Sequence, residues 1–224
     1  MPALPVPERE PGPNGGVTAD YIRRLIFDGT LRSGNRIPQN DIAALLGVSR
    51  VPVREALIAL EREGWVVMEV NRGAYVAPLS ARSIQDHYEV LGIVYAAAAR
   101  RAVERGDVAL SERLRGVGRG FDDLNDFERV SRAALTFHTV VVAAAKSARI
   151  RSILRSIAPF VPGNFYASVP DAAALQKRST SVIRRAISRG DADGAAAEYR
   201  RMLHRSGELV VDLLTSRGVL SSGS

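Results

Sequence analysis

The chain has 224 residues, 46% of them hydrophobic, with a formal charge of +7 and a pI near 10.3. That length allows one large or two modest domains, and its most apolar run, "VLGIVYAAAA" at 90–99, is about half of what a membrane span needs. The absence of Cys excludes disulfides and thiolate metal sites; the N-terminus lacks the apolar core of a signal peptide, so a cytoplasmic location is expected.

Residues 1–16 are crowded with Pro and Gly and carry no apolar period, which predicts a flexible arm. From Val17 the spacing of Val17, Tyr21 and Leu25, with Ile22 and Ile26 beside them, predicts an amphipathic helix ending near Gly29, and "DGTLRSGNRIP" reads as a turn. Asp41 to Leu46 make a short second helix closed by Gly47. Ser49 is placed to cap a third that runs to about Glu63, with Pro52 in its first turn. Val53, Ala56, Leu57 and Leu60 form its inward stripe, while Arg50 and Arg54, four apart, share another face. "WVVMEVNRGAYVAPL" reads as two strands around an Asn71-Arg72-Gly73 turn. Three helices and a hairpin make a winged helix.

After Leu79 the pattern becomes helical throughout. Ile84, Val90, Leu91, Val94, Tyr95 and Ala98 mark a long helix, and Leu110 to Val117, Phe127 to Ala145 and Ile150 to Ile157 mark three more. "PFVPGNFYASVP" reads as a loop, and two further helices run from about Asp171 to Arg189 and Asp193 to Thr215. The expected fold is mainly α: a winged helix-turn-helix over 17–80, an all-helical effector and dimerisation bundle over 81–217 and a flexible tail over 218–224. Charge does not single out the first part. Residues 17–78 hold eight arginines against seven acids, whereas residues 79–224 hold 22 basic and 15 acidic side chains.

Geometry is the better guide. In a helix-turn-helix the second helix enters the major groove with its N-terminal residues at base edges, and the Gly47-Val48 corner supplies the bend and a buried anchor. Arg50 and Arg54 then stand at the mouth of the second helix, where a guanidinium fork matches guanine acceptors or phosphate. The competing reading makes them the solvated face of an ordinary three-helix core.

"GVSRVPVREALIALEREGWV", with "DGTLRSGNRI" before it and "NRGAYVAPLS" after it, resembles the winged-helix domain of the GntR family of bacterial transcription regulators. The resemblance implies operator contacts from Ser49, Arg50 and Arg54, wing contacts from Arg72 and Gly73, and phosphate contacts from Arg32 and Asn40; Asn40 stands where some members carry Arg. The stretches "TFHTVVVAAAKS" and "VIRRAISRGDADGAAAEYRRM" resemble the effector-binding, dimer-forming FCD domain of the FadR subfamily. Many such domains hold a divalent metal through an Asp four residues before a His and two later His. Here only His138 falls on a ligand position: Ala134, Thr180 and Met202 stand at the others, and His204 lies about 200° around the helix from Met202. No metal and no other cofactor is expected.

Leu91 and Tyr95 replace a usual Arg and Glu, and Ser147 a common Asn. Leu91, Tyr95, Ala134, His138, Thr180 and Met202 are therefore expected to line an apolar, metal-free effector pocket, with core packing as the competing reading. The ligand would be apolar or acyl-bearing, and the basic charge of this half keeps an anion with a greasy tail, such as an acyl thioester, among the candidates. No nucleophile-base-acid set or phosphate loop points to an enzyme. The expectation is a homodimeric repressor on an inverted-repeat DNA operator, its affinity changed by a small molecule. The alternative is a DNA-binding dimer whose bundle serves for dimerisation alone.

Overall fold

The computed structural model describes residues 4–5, 15–158 and 165–220. They form two compact units: one takes in the chain up to Ser83 together with Asp212 to Leu220, the other lies between Ile84 and Val211.

In the first unit, α1 (Gly15–Phe27), α2 (Gln39–Leu45) and α3 (Arg50–Arg62) are followed by strands β1 (Val66–Glu69) and β2 (Gly73–Val76). The inward stripes of α1 and α3 meet, and Ile22, Ile26, Leu57, Leu60 and Trp65 are fully buried. Burial of side chains of this size is worth roughly 1.5–3 kcal/mol each, which outweighs the middling helix propensity of the β-branched residues. Gly47 has φ +62, the left-handed conformation that turns α2 into α3. The buried anchor of that corner is Leu46, 2% exposed; Val48, expected in that role, is only half-buried, because the turn spends its one inward position on the last apolar residue before the glycine. Ser49 is the N-cap of α3, as its place in the sequence suggests, yet its hydroxyl makes no capping bond. The strands pair antiparallel, Val66 against Val76 and Glu69 against Gly73, and a bridge from Arg36 to Tyr75 extends the sheet.

Two features of this unit were not expected. Arg23, counted among the basic residues, is 3% exposed. Its Nε and Nη2 donate to Glu63 Oε2 at 3.2 and 2.7 Å, and Nη1 pairs with Asp20. The tail is also partly fixed: Arg217 Nη1 donates to the Phe27 carbonyl at 3.0 Å, its guanidinium lies 5.8 Å from the Phe27 ring centre, and Val219 is 1% exposed. The apolar Val219 has a place to bury, which a composition rich in Ser and Gly conceals; residues 221–224 lie outside the described residues. Most of the N-terminal arm does too, although Tyr21 donates to the Pro5 carbonyl at 2.7 Å and α1 starts at Gly15.

The second unit is built from α4 (Ala81–Glu104), α5 (Leu110–Gly118), a 3-10 turn at Arg119–Phe121, α6 (Phe127–Ala144), α7 (Ala148–Ile157), α8 (Phe165–Ser168), α9 (Pro170–Ser188) and most of α10 (Ala192–Ser216). The Phe165–Ser168 turn corrects the loop expected over 159–170; Phe165, 5% exposed, pins it down. Ser147 accepts from the Ile150 amide and caps α7. Gly207 of α10 sits where a Cβ would come within 2.7 Å of Gln85 Oε1 and 3.0 Å of Tyr88 Cβ, so the glycine lets α10 lie close against α4. No helix of the described residues is long and apolar enough to cross a membrane.

Candidate functional site

At the mouth of α3 the expected residues come together in part. Ser49, Arg50 and Arg54 are exposed. Arg50 Nε donates to Asn40 Oδ1 at 2.8 Å, which fixes one edge of the guanidinium and leaves its Nη groups free to pair with an acceptor. Asn40, expected at phosphate, is thus turned toward Arg50. Arg54 has no ion pair among the described residues. Val51, 64% exposed between these arginines, was not singled out by sequence reasoning, although an apolar side chain on the outward face of α3 is visible in its period.

The wing forms a second group. Arg72 is 77% exposed, 3.6 Å from Glu69, and its carbonyl accepts from the Tyr75 hydroxyl at 3.3 Å. Gly73 has φ +110, and the Arg36 guanidinium lies along it, Nε 3.4 Å from where a Cβ would stand. Arg36 is the basic residue the sequence reading missed; only the hairpin brings it to the wing. Arg32 folds back, its Nε donating to the Gly29 carbonyl at 3.4 Å.

Inside the helical unit, His138 of α6 meets Tyr95 of α4 at 5.0 Å between ring centres, while Tyr199 of α10 stacks on Tyr95 at 5.4 Å with 5° between planes. A chain of hydrogen bonds passes through the imidazole. Tyr166 donates to Gln176 Oε1 at a long 3.5 Å, which turns the Gln176 amide N–H toward His138 Nε2 at 2.9 Å. His138 Nδ1 in turn pairs with the Tyr199 hydroxyl at 3.2 Å, the imidazole tautomer setting which of the two donates. Burial pushes His138 down to about 4, against the raising effect of Gln176, so the ring is neutral at physiological pH. Burial likewise pushes Tyr95 up to about 12 and raises Tyr166 and Tyr199 well above the ordinary phenol value.

The other expected pocket residues are placed differently. Ala134 packs in a core cluster with Phe121, Val130, Ala133 and Ala173. Thr180 spends its hydroxyl on the Gln176 and Lys177 carbonyls of its own helix. Leu91 and Met202 are buried. Gln176 and Tyr199, one turn before Thr180 and Met202, carry the polarity instead, and helical spacing from those two positions would have reached them.

A divalent metal does not fit these residues. Both His138 nitrogens are engaged, His204 is 68% exposed beside Glu208, and the described residues contain no group of three or more His, Cys, Asp or Glu that could hold an ion.

A winged helix with an exposed arginine mouth, followed by a helical domain with a neutral polar centre, defines a two-part regulator architecture. The pattern described as "Bacterial regulatory proteins, gntR family" matches residues 16–76, and that of the FCD domain matches residues 86–205. The chain belongs to the GntR family, in the form that joins the winged helix to an FCD domain; the family is one of transcription regulators, not of enzymes. An uncharacterised HTH-type transcriptional regulator of Mycobacterium tuberculosis is 30% identical over 146 residues, 65% of this chain and 60% of that protein. The gluconate operon transcriptional repressor of Bacillus subtilis is 29% identical over 151 residues, covering 64% and 60%. A solved GntR-type transcriptional regulator of a Rhodococcus species superposes with a TM-score of 0.54 at 26% identity, covering 88% of this chain and 97% of that one.

Proposed function

We propose that the chain is a homodimeric transcription repressor that grips an inverted-repeat DNA operator with the mouth of α3 and the wing, and that a small molecule held among α4, α6, α9 and α10 changes that grip. The observation that carries the DNA reading is the exposed guanidinium of Arg50, held at Nε by Asn40 with its Nη groups outward. A side chain fixed in this way loses less entropy on pairing with guanine O6 and N7. Ser49, with an uncommitted hydroxyl, and Arg54 complete the contact; Arg72, Gly73 and the added Arg36 engage backbone or groove at the wing, with Arg32 a phosphate contact at the rim. A dimer follows from the small number of base pairs one recognition helix reads. The relative that represses the gluconate operon supports the sign of regulation.

The test is titration of the protein against duplexes enriched from a random library by the wild-type protein, at fixed salt. Arg50→Ala or Arg54→Ala should each weaken binding by about 1–3 kcal/mol with folding intact, and unchanged binding by both would contradict the assignment. The packing of Ala134 and the spent hydroxyl of Thr180 favour the second reading, in which the bundle only dimerises. A thermal shift against metabolite classes separates the two, because a ligand stabilises the state it binds.

A further inference from the structure

The outward face of α3 carries a side chain that neither charge nor hydrogen bonding explains. At about 100° per residue, the buried Val53, Ala56, Leu57 and Leu60 lie roughly 140–240° around the helix from Val51, so Val51 marks the middle of the face turned away from the core. It is 64% exposed, stands in the first turn between the exposed Arg50 and Arg54, and lies one turn before the exposed Glu55.

A lone exposed valine needs no partner in general, and Val108, 96% exposed between α4 and α5, is one of that kind. Val51 differs by its place, because its neighbours are the side chains offered to base edges. Among Ser49, Arg50, Val51, Arg54 and Glu55, all exposed, it is the apolar member. In the major groove each base pair presents donors and acceptors, and the apolar group among them is the C5 methyl of thymine. A valine brought among base edges gains contact with that methyl. Against any other base it covers polar edge atoms and gives them no hydrogen bond in return, which is costly. The branched Cβ leaves valine one strongly preferred rotamer in a helix, so its two methyl groups are held in place before DNA arrives.

We infer that Val51 reads a thymine in each half-site: its methyl groups pack on the C5 methyl of that base, in the same half-site as the guanine that Arg50 selects. The inference rests on the DNA reading above and adds to it a base that no hydrogen bond specifies.

The experiment uses the full chain as wild type, Val51→Thr and Val51→Ser. The two variants differ from each other by one methyl group, and Val51 is not part of the buried core, so both keep that core intact. Each protein selects duplexes from a random library. Wild type and Val51→Thr should enrich a thymine at one position of the half-site, and Val51→Ser should not. Deoxyuridine is then placed at that position; it removes the methyl alone and keeps the O4 acceptor. Wild type and Val51→Thr should bind the uracil half-site about threefold to fivefold less tightly than the thymine half-site, the worth of one buried methyl. Val51→Ser should bind the two alike.

Thymine selection unchanged in Val51→Ser would overturn the inference and leave the DNA reading standing. So would equal losses on uracil in the wild type and Val51→Ser, or wild-type binding that ignores the methyl. No enriched repeat with the wild type would count against both.

Discussion

In the winged helix a guanidinium is buried and its carboxylate partner arrives from 40 residues further along the chain. In the helical bundle, among the described residues, no charged side chain is buried at all, and the centre is filled by phenols, an amide and a neutral imidazole. The two units therefore respond to different perturbations. The winged helix stakes stability on one desolvated ion pair and leaves Arg32, Arg36, Arg50, Arg54 and Arg72 exposed. The bundle excludes charge from its centre and is left sensitive to whatever would place a proton there.

The largest effect should come from breaking the ion pair. Glu63→Ala leaves Arg23 buried without its carboxylate and should cost about 3–5 kcal/mol in chemical unfolding of the winged helix, whereas Arg23→Met with Glu63→Leu should recover most of it. A loss below about 1 kcal/mol for Glu63→Ala would show that Asp20 alone satisfies the guanidinium.

Acid should act on the bundle instead. His87 and His138 are both held near 4 by burial, below their ordinary 6.5. Above pH 6.5 neither the folded nor the unfolded chain carries the extra protons and stability is full. Between 6.5 and 4 the unfolded chain takes them up and the folded one does not, so stability falls through that window and levels below it. Unfolding midpoints of the bundle measured from pH 7 to 4 should show this slope, and His138→Asn should flatten part of it.

A smaller effect sharpens the account of α3. Asn40→Ala should weaken binding to the selected DNA by about 1 kcal/mol when Arg50 is present and hardly at all in an Arg50→Ala background, because Asn40 acts through Arg50. Equal losses in both backgrounds would return Asn40 to phosphate. Of similar size is the tail: Arg217→Ala removes one hydrogen bond and one ring contact and should lower the thermal midpoint of the winged helix by an amount worth about 0.5–1.5 kcal/mol.

Helix positions and the hairpin were legible because apolar period and turn residues report local geometry: α3 was expected from Ser49 to about Glu63 and runs Arg50–Arg62. What stayed hidden depends on partners distant in sequence. Nothing near Arg23 announces that Glu63 will neutralise it, and nothing near Arg36 announces that Gly73 will lie beneath it. In the bundle the resemblance directed attention to Thr180 and Met202, the positions of metal ligands. The sequence had moved its polar groups one turn back, to Gln176 and Tyr199, where an amide and a phenol complete a network around His138 in place of an ion. A family template transfers backbone positions faithfully; it cannot transfer chemistry once the ligand types have changed.

The most direct test of the central claim, that a pair of α3 mouths reads DNA, is selection of bound duplexes from a random library by the full wild-type chain, followed by sequencing of what is retained. The account predicts an enriched inverted repeat whose half-site centres lie about 10 base pairs, or a multiple, apart, with guanine at the position that Arg50→Ala ceases to select. Retention of random sequence with no enriched repeat would contradict it.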